Sequence, residues 1–119
     1  MIKGSDAFFM QMDYIEFPAT GIAATKAFYQ RVFGWEFEDY GPDYTSFKDG
    51  RLSGGFTTGA TVAHGGVLVV IHAPDLAATE AEVVAAGGVI VKPAFSFPGG
   101  RRFHFTDPNG NELSVWSEK

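Results

Sequence analysis

The sequence predicts an α+β fold: two tandem βαβββ modules whose mixed, curved sheets surround a cavity. Three observations predict it. First, one stretch occurs twice. Residues 15–37, IEFPATGIAATKAFYQRVFGWEF, and residues 69–91, VVIHAPDLAATEAEVVAAGGVIV, align at a constant offset of 54 with no gap. Six positions are identical: Ala19/Ala73, Ala23/Ala77, Ala24/Ala78, Thr25/Thr79, Ala27/Ala81 and Gly34/Gly88. Second, each copy runs in the same order: an apolar run, a break, an alanine-rich helical stretch, a glycine and another apolar run. Third, strand-like segments with Asp-Gly and Asn-Gly turns follow each copy.

The elements follow in order. Residues 8–18, FFMQMDYIEFP, mix aromatic and β-branched residues with polar ones and predict a strand. Pro18 closes it, and Thr20 is placed to cap a helix. Ile22, Thr25, Phe28, Tyr29, Val32 and Phe33 share helical spacing over 22–33, and Gly34 ends the helix. WEFEDY at 35–40 alternates as a half-buried strand, Gly41-Pro42-Asp43 turns, and YTSFK at 44–48 makes another strand. Asp49-Gly50 predicts a hairpin returning through Leu52–Thr57. Gly54-Gly55 inside that strand suggests a bulge or a close approach. Residues 58–66 form a small-residue joint. The second module opens with a strand at Val67–His72 and a helix at Leu76–Ala86, capped by Asp75 and ended by Gly87-Gly88. Val89–Val91 begins the next strand, and two prolines and Gly99-Gly100 interrupt 93–100. Arg101–Thr106, the Asp107-Pro108-Asn109-Gly110 turn and Glu112–Ser117 complete the chain. The whole of 1–119 reads as a single domain, with modules at about 8–57 and 67–117.

Composition narrows the function. Twelve Phe, four Tyr and two Trp require a core or cavity that houses many rings. There is no Cys, which removes disulfides, thiolate nucleophiles and Cys-ligated zinc. A formal net charge of −5 argues against nucleic acid and anionic membrane as partners. No apolar stretch approaches a membrane span, and MIKGSDAFFMQ lacks a secretory h-region. A cytoplasmic location is the expectation.

Ala27-Phe28-Tyr29 with Phe33-Gly34-Trp35, Gly87-Gly88 after the second helix, and Phe105-Thr106-Asp107-Pro108-Asn109-Gly110-Asn111 before the last strand resemble the vicinal-oxygen-chelate superfamily. This is the glyoxalase, bleomycin-resistance and extradiol-dioxygenase group. The resemblance covers about residue 10 to the end. It implies paired βαβββ modules around a cavity and, for many members, a homodimer. In the enzymes it implies a divalent metal held by His, Glu or Gln from four strand positions. By motif register these fall on Tyr14, about Gly54, Leu68 and Ser114. None is His, Glu or Gln, so no metal ligand and no cofactor is predicted. A divalent metal at a displaced site is the alternative.

Strand alternation places Glu16 and Pro18, Val70 and His72, and Glu112 and Trp116 on the same face as those positions. His104 lies on the seventh strand, where fosfomycin-resistance relatives often carry a ligand-facing Tyr, and Arg102 shares its parity. Glu16, His72 and His104 are therefore the candidate catalytic groups, able to supply acid–base chemistry if they converge. Tyr14, Leu68, Arg102, Ser114 and Trp116 are the candidate ligand contacts. Each has a structural alternative: a hydrogen-bonded or solvated His, a carboxylate on a wet strand face, a solvated hairpin arginine. Two functions follow as expectations. One is a homodimeric small-molecule-binding protein, with ligand sequestration as its role, without the usual metal set. The other is a glyoxalase-type lyase, isomerase or epimerase using a displaced metal or His/Glu acid–base catalysis.

Overall fold

The computed structural model describes residues 10–119. Its elements are β1 (Tyr14–Pro18), α1 (Ile22–Phe33), β2 (Glu36–Asp39), β3 (Tyr44–Lys48), β4 (Ser53–Thr57), β5 (Val69–His72), α2 (Leu76–Ala85), β6 (Val89–Phe97), β7 (Gly100–Thr106) and β8 (Glu112–Ser117). This is βαβββ twice, as the repeat requires. One sheet has the order β1-β4-β3-β2, the other β5-β8-β7-β6. In each, the first and last strands of the module pair in parallel and the rest are antiparallel. The start of the predicted first strand, residues 8 and 9, lies outside the described residues.

Alternation sorts the side chains as expected. Ile15, Phe17, Phe47 and Phe56 of one sheet, and Phe103, Phe105, Leu113 and Val115 of the other, join one apolar core with the helices. Most of the rings go there. Phe56 lies 5.1 Å from Tyr29, Tyr29 5.0 Å from Phe28, and Phe28 6.0 Å from Phe105, so a run of aromatic contacts crosses from one module to the other. Burying side chains of this size stabilises by roughly 1.5–3 kcal/mol each. Trp35 stacks on Tyr29 and Phe47 and is core.

The helix ends correct one expectation. Asp75 caps α2, its carboxylate accepting from Ala78 N–H at 3.0 Å. At α1 the N-cap is Gly21, not Thr20, and no local side chain caps it. Asn109 does so from the other module. Its Oδ1 accepts from Thr20 N–H at 2.7 Å and from Gly21 N–H at 3.4 Å. Gly34 closes α1 in the left-handed region at φ 71°, where glycine carries no Cβ penalty.

The strand after α2 also differs. It was expected to be interrupted from Pro93, yet β6 continues to Phe97. It lies at the edge of its sheet, where a missing N–H on the outer side breaks no ladder. Irregular register between Ile90 and Lys92 and between Lys92 and Phe95 absorbs the proline.

Candidate functional site

The sheet faces turned away from the core carry the candidate residues, in the parity the sequence predicted. On the first sheet Tyr14 pairs with Ser53 and Glu16 with Gly55. Ser46 stands opposite Gly55, and Tyr44 opposite Thr57. On the second, Val70 pairs with Ser114 and His72 with Trp116. Arg102 lies opposite Trp116, and His104 opposite Ser114.

The fourth-strand position needs correcting by one residue. Gly54 faces the core, since a Cβ there would meet the Phe47 ring and the Ile15 carbonyl. Gly55 faces outward, and a Cβ there would meet the hydroxyls of Tyr44 and Tyr14. No bulge occurs at the glycine pair; the close approach is a tyrosine pair seated over it. Tyr14 Oη and Tyr44 Oη lie 2.5 Å apart, and Tyr44 donates to Glu16 Oε1 at 2.9 Å. Desolvation first, then the hydrogen bonds to Tyr14 and Glu16, push the Tyr44 hydroxyl well above the ordinary tyrosine range. Tyr44 is thus a neutral donor at physiological pH. Sequence reading missed it; its parity with Ser46 and the neighbouring glycine was the available signal.

The candidate catalytic groups do not converge within the chain. Glu16 is exposed and bonded to Tyr44. His72 Nε2 contacts Glu118 Oε1 at 2.8 Å on an open edge. That bond holds the Glu118 carboxyl below its usual range. His104 is 6% exposed, and its Nδ1 contacts Glu112 Oε2 at 2.9 Å. No hydrogen bond, ion pair or ring contact between described residues joins Glu16 to either histidine. The modules are joined instead through the helices and the 107–111 turn. Tyr29 donates to Asp107 Oδ2 at 2.8 Å, and Asn111 Nδ2 donates to the Pro18 carbonyl at 2.8 Å.

Glu112 and His104 form the most organised pair. A carboxylate at Nδ1 accepts the ring proton there and leaves Nε2 of the neutral imidazole as a lone-pair acceptor. That Nε2 is buried and has no partner. Two residues along the strand, Arg102 Nε is also buried and unpartnered. The Arg102 guanidinium lies over the Phe95 and Phe97 rings, at 5.3 and 5.7 Å from their centroids. Beside it is a depression of about 330 Å³ lined by Val70, Phe97, Pro98, Gly99, Arg102 and Trp116. A second depression, about 340 Å³, lies over the β3–β4 hairpin and includes Glu36, Lys48 and Arg51. None of the candidate residues reaches it.

The positions at which the resemblance implies a metal do not fit one. Tyr14 is tied to Tyr44, Gly55 has no side chain, Leu68 precedes β5 rather than lying on it as expected and, like Val70 within β5, is hydrocarbon, and the buried Ser114 hydroxyl donates to the Phe103 carbonyl at 2.9 Å. Among the described residues no group of three or more His, Cys, Asp or Glu is placed to hold a metal ion.

Comparison with known proteins agrees with this architecture. No match was found among curated proteins. Solved structures do match. A glyoxalase-related enzyme from Fulvimarina pelagi superposes with a TM-score of 0.76 at 21% identity, covering 91% of this chain and 88% of that one. A glyoxalase/bleomycin resistance protein/dioxygenase family enzyme from Burkholderia phytofirmans PsJN gives 0.78 at 18% identity, covering 91% and 100%. The fosfomycin resistance protein FosX from Mesorhizobium loti gives 0.75 at 14% identity, covering 91% and 92%. At such identities the likeness is one of fold. A family model matches residues 11–115, and on that match the chain belongs to the glyoxalase/bleomycin resistance protein/dioxygenase superfamily.

Proposed function

We propose that this chain is a small-molecule-binding member of its superfamily that lacks the usual metal-ligand set and acts by sequestering its ligand. The observation that carries the reading is the pair of tyrosine hydroxyls over Gly55. Where a β4 side chain would reach toward a metal, this chain has no side chain, and Tyr14 and Tyr44 occupy the space. Ser114 and Leu68 supply no compensating donor. An apolar pocket bearing a few polar groups is the usual form of a small-molecule site, and the depression at Trp116 has that form.

The protein works as a homodimer in this reading. Tyr14 and Val70, 45% and 43% exposed, leave apolar surface on both outward sheet faces, and a second copy would cover it. No helix among the described residues is long and apolar enough to cross a membrane, and a cytoplasmic location fits the reading.

A second reading is favoured by the Glu112–His104 pair. A carboxylate-oriented imidazole with a free Nε2 is suited to general acid–base work, as a metal-free lyase, isomerase or epimerase would need. Metal analysis of protein purified without chelators or nickel columns tests the leading reading. The expected result is substoichiometric Mn, Fe, Ni and Zn. One tightly held ion per chain, lost on substitution of Glu16 or the histidines, overturns it.

A further inference from the structure

We propose that the depression beside Arg102 takes a small amphipathic anion: an apolar body of about one aromatic ring, carrying a single carboxylate or other oxyanion. This rests on the small-molecule reading above and names the ligand class.

Arg102 carries the argument. It makes no hydrogen bond and no ion pair with any described residue. A partly buried guanidinium is normally matched by a carboxylate, because taking a charge from water without a partner is costly. Here the protein supplies two phenyl faces, Phe95 and Phe97, which hold the cation in place but accept no conventional hydrogen bond. The Nε atom is shut off from water and unpartnered. An oxyanion entering the depression would meet this donor and the rest of the planar fork.

The neighbourhood has the same sign. Lys92 Nζ also lies over the Phe95 ring, 5.3 Å from its centroid. The carboxylates of this sheet face are already engaged, Glu112 with His104 and Glu118 with His72. The net charge of −5 therefore misleads about this site. The body of the ligand would lie against Val70, Phe97 and Trp116. His104, more than nine-tenths buried, presents its unpartnered Nε2 on the same strand face, roughly 7 Å along the strand from Arg102.

The test titrates phenylacetate, its neutral isostere phenylacetamide, and benzylamine into the full chain, following the Trp116 indole N–H by NMR. Phenylacetate is expected to bind at least about tenfold more tightly than phenylacetamide, the effect of one charge-assisted hydrogen-bonded pair. Benzylamine should be weakest. In R102Q the acid and the amide should bind equally, while R102K should keep part of the preference. Equal affinity for acid and amide in the unaltered chain overturns the proposal, as does a preference that survives in R102Q. In either case, shifts at Trp116 would leave the small-molecule reading standing. If benzylamine binds best, the ligand is a cation and only the anion class falls. If none of the three moves Trp116, both fall at this face. If a carboxylate of a second copy already satisfies Arg102, the acid shows no advantage at concentrations where the dimer forms, and the proposal fails.

Discussion

Asn109 accepts a hydrogen bond from the backbone N–H of Thr20, 89 residues earlier in the chain, at 2.7 Å. Its amide also donates to Thr25 Oγ1 at 2.9 Å, and Thr25 is fully buried. One side chain thus caps a helix of the other module and fills a buried polar position. N109A is expected to lose about 2 kcal/mol of stability, combining a lost cap with the lost contact to Thr25 Oγ1, which keeps only its bond to the Gly21 carbonyl at 2.6 Å. Urea unfolding checks it. A loss under about 0.5 kcal/mol would show that water replaces the contact.

Tyr29 and Asp107 form the second bond of the same joint. Burial first, then the Asp107 carboxylate, raise the Tyr29 hydroxyl well above the ordinary tyrosine range. The folded chain keeps that proton where the unfolded chain releases it. The stability associated with Tyr29 is thus fully present below pH ~10 and falls as pH rises beyond it. Melting temperatures between pH 8 and 11 should drop less steeply in Y29F than in the unaltered chain. Identical slopes would sink the assignment.

The two adjacent glycines of β4 should respond differently to alanine. A Cβ at Gly54 would meet the Ile15 carbonyl, a backbone atom that cannot step aside. At Gly55 it would meet the ends of two tyrosine side chains, which can rotate away. G54A should cost about 3 kcal/mol and G55A about 1 kcal/mol, within the range for overpacking. G55A should also break the Tyr14–Tyr44–Glu16 chain, bringing the Tyr44 hydroxyl down toward its ordinary range in a spectrophotometric titration. Equal losses from the two substitutions would contradict the register of β4.

His72 and Glu118 test the opposite case, an exposed pair. Its carboxyl is held low chiefly by the hydrogen bond from His72. The associated stability exists above the usual carboxylate range and is lost as pH falls through the lowered value. In H72A the Glu118 carbon signal should titrate at an ordinary glutamate pH, with the melting temperature at pH 7 lowered only slightly, as for most surface pairs. No change in the Glu118 titration would mean the contact is not populated in solution.

Much of this fold was legible because the duplication repeats its own signals. Two helices and eight strands follow from the repeat, its periodicity and its turn signals, and alternation counted from the positions that the family resemblance implies gives the shared face of Glu16, Val70, His72, Arg102 and Trp116. The position on β4 did not, because the two turn glycines stand at different distances from the strands that follow them. Arg51 and Leu52 separate Gly50 from Ser53 at the start of β4, whereas Asn111 alone separates Gly110 from Glu112 at the start of β8. The extra residue after Gly50 moves the outward position from Gly54 to Gly55. The partners of Glu16 and Asn109 lie 28 and up to 89 residues away in the sequence, and no local pattern encodes such contacts. His72 and His104 each engage a glutamate at their own sheet, His104 across the β7–β8 hairpin, in place of convergence on Glu16 of the other sheet.

Pro93 has a consequence beyond its own strand. Val89 and Val91, 58% and 48% exposed, lie beside it on the sheet edge, where a neighbouring molecule could add a strand. Lys92 and Pro93 break that template: one carries a charge, the other has no N–H to offer, and the register shifts around them bend the edge out of line. The proline that makes β6 hard to read as a strand thereby protects the chain against aggregation.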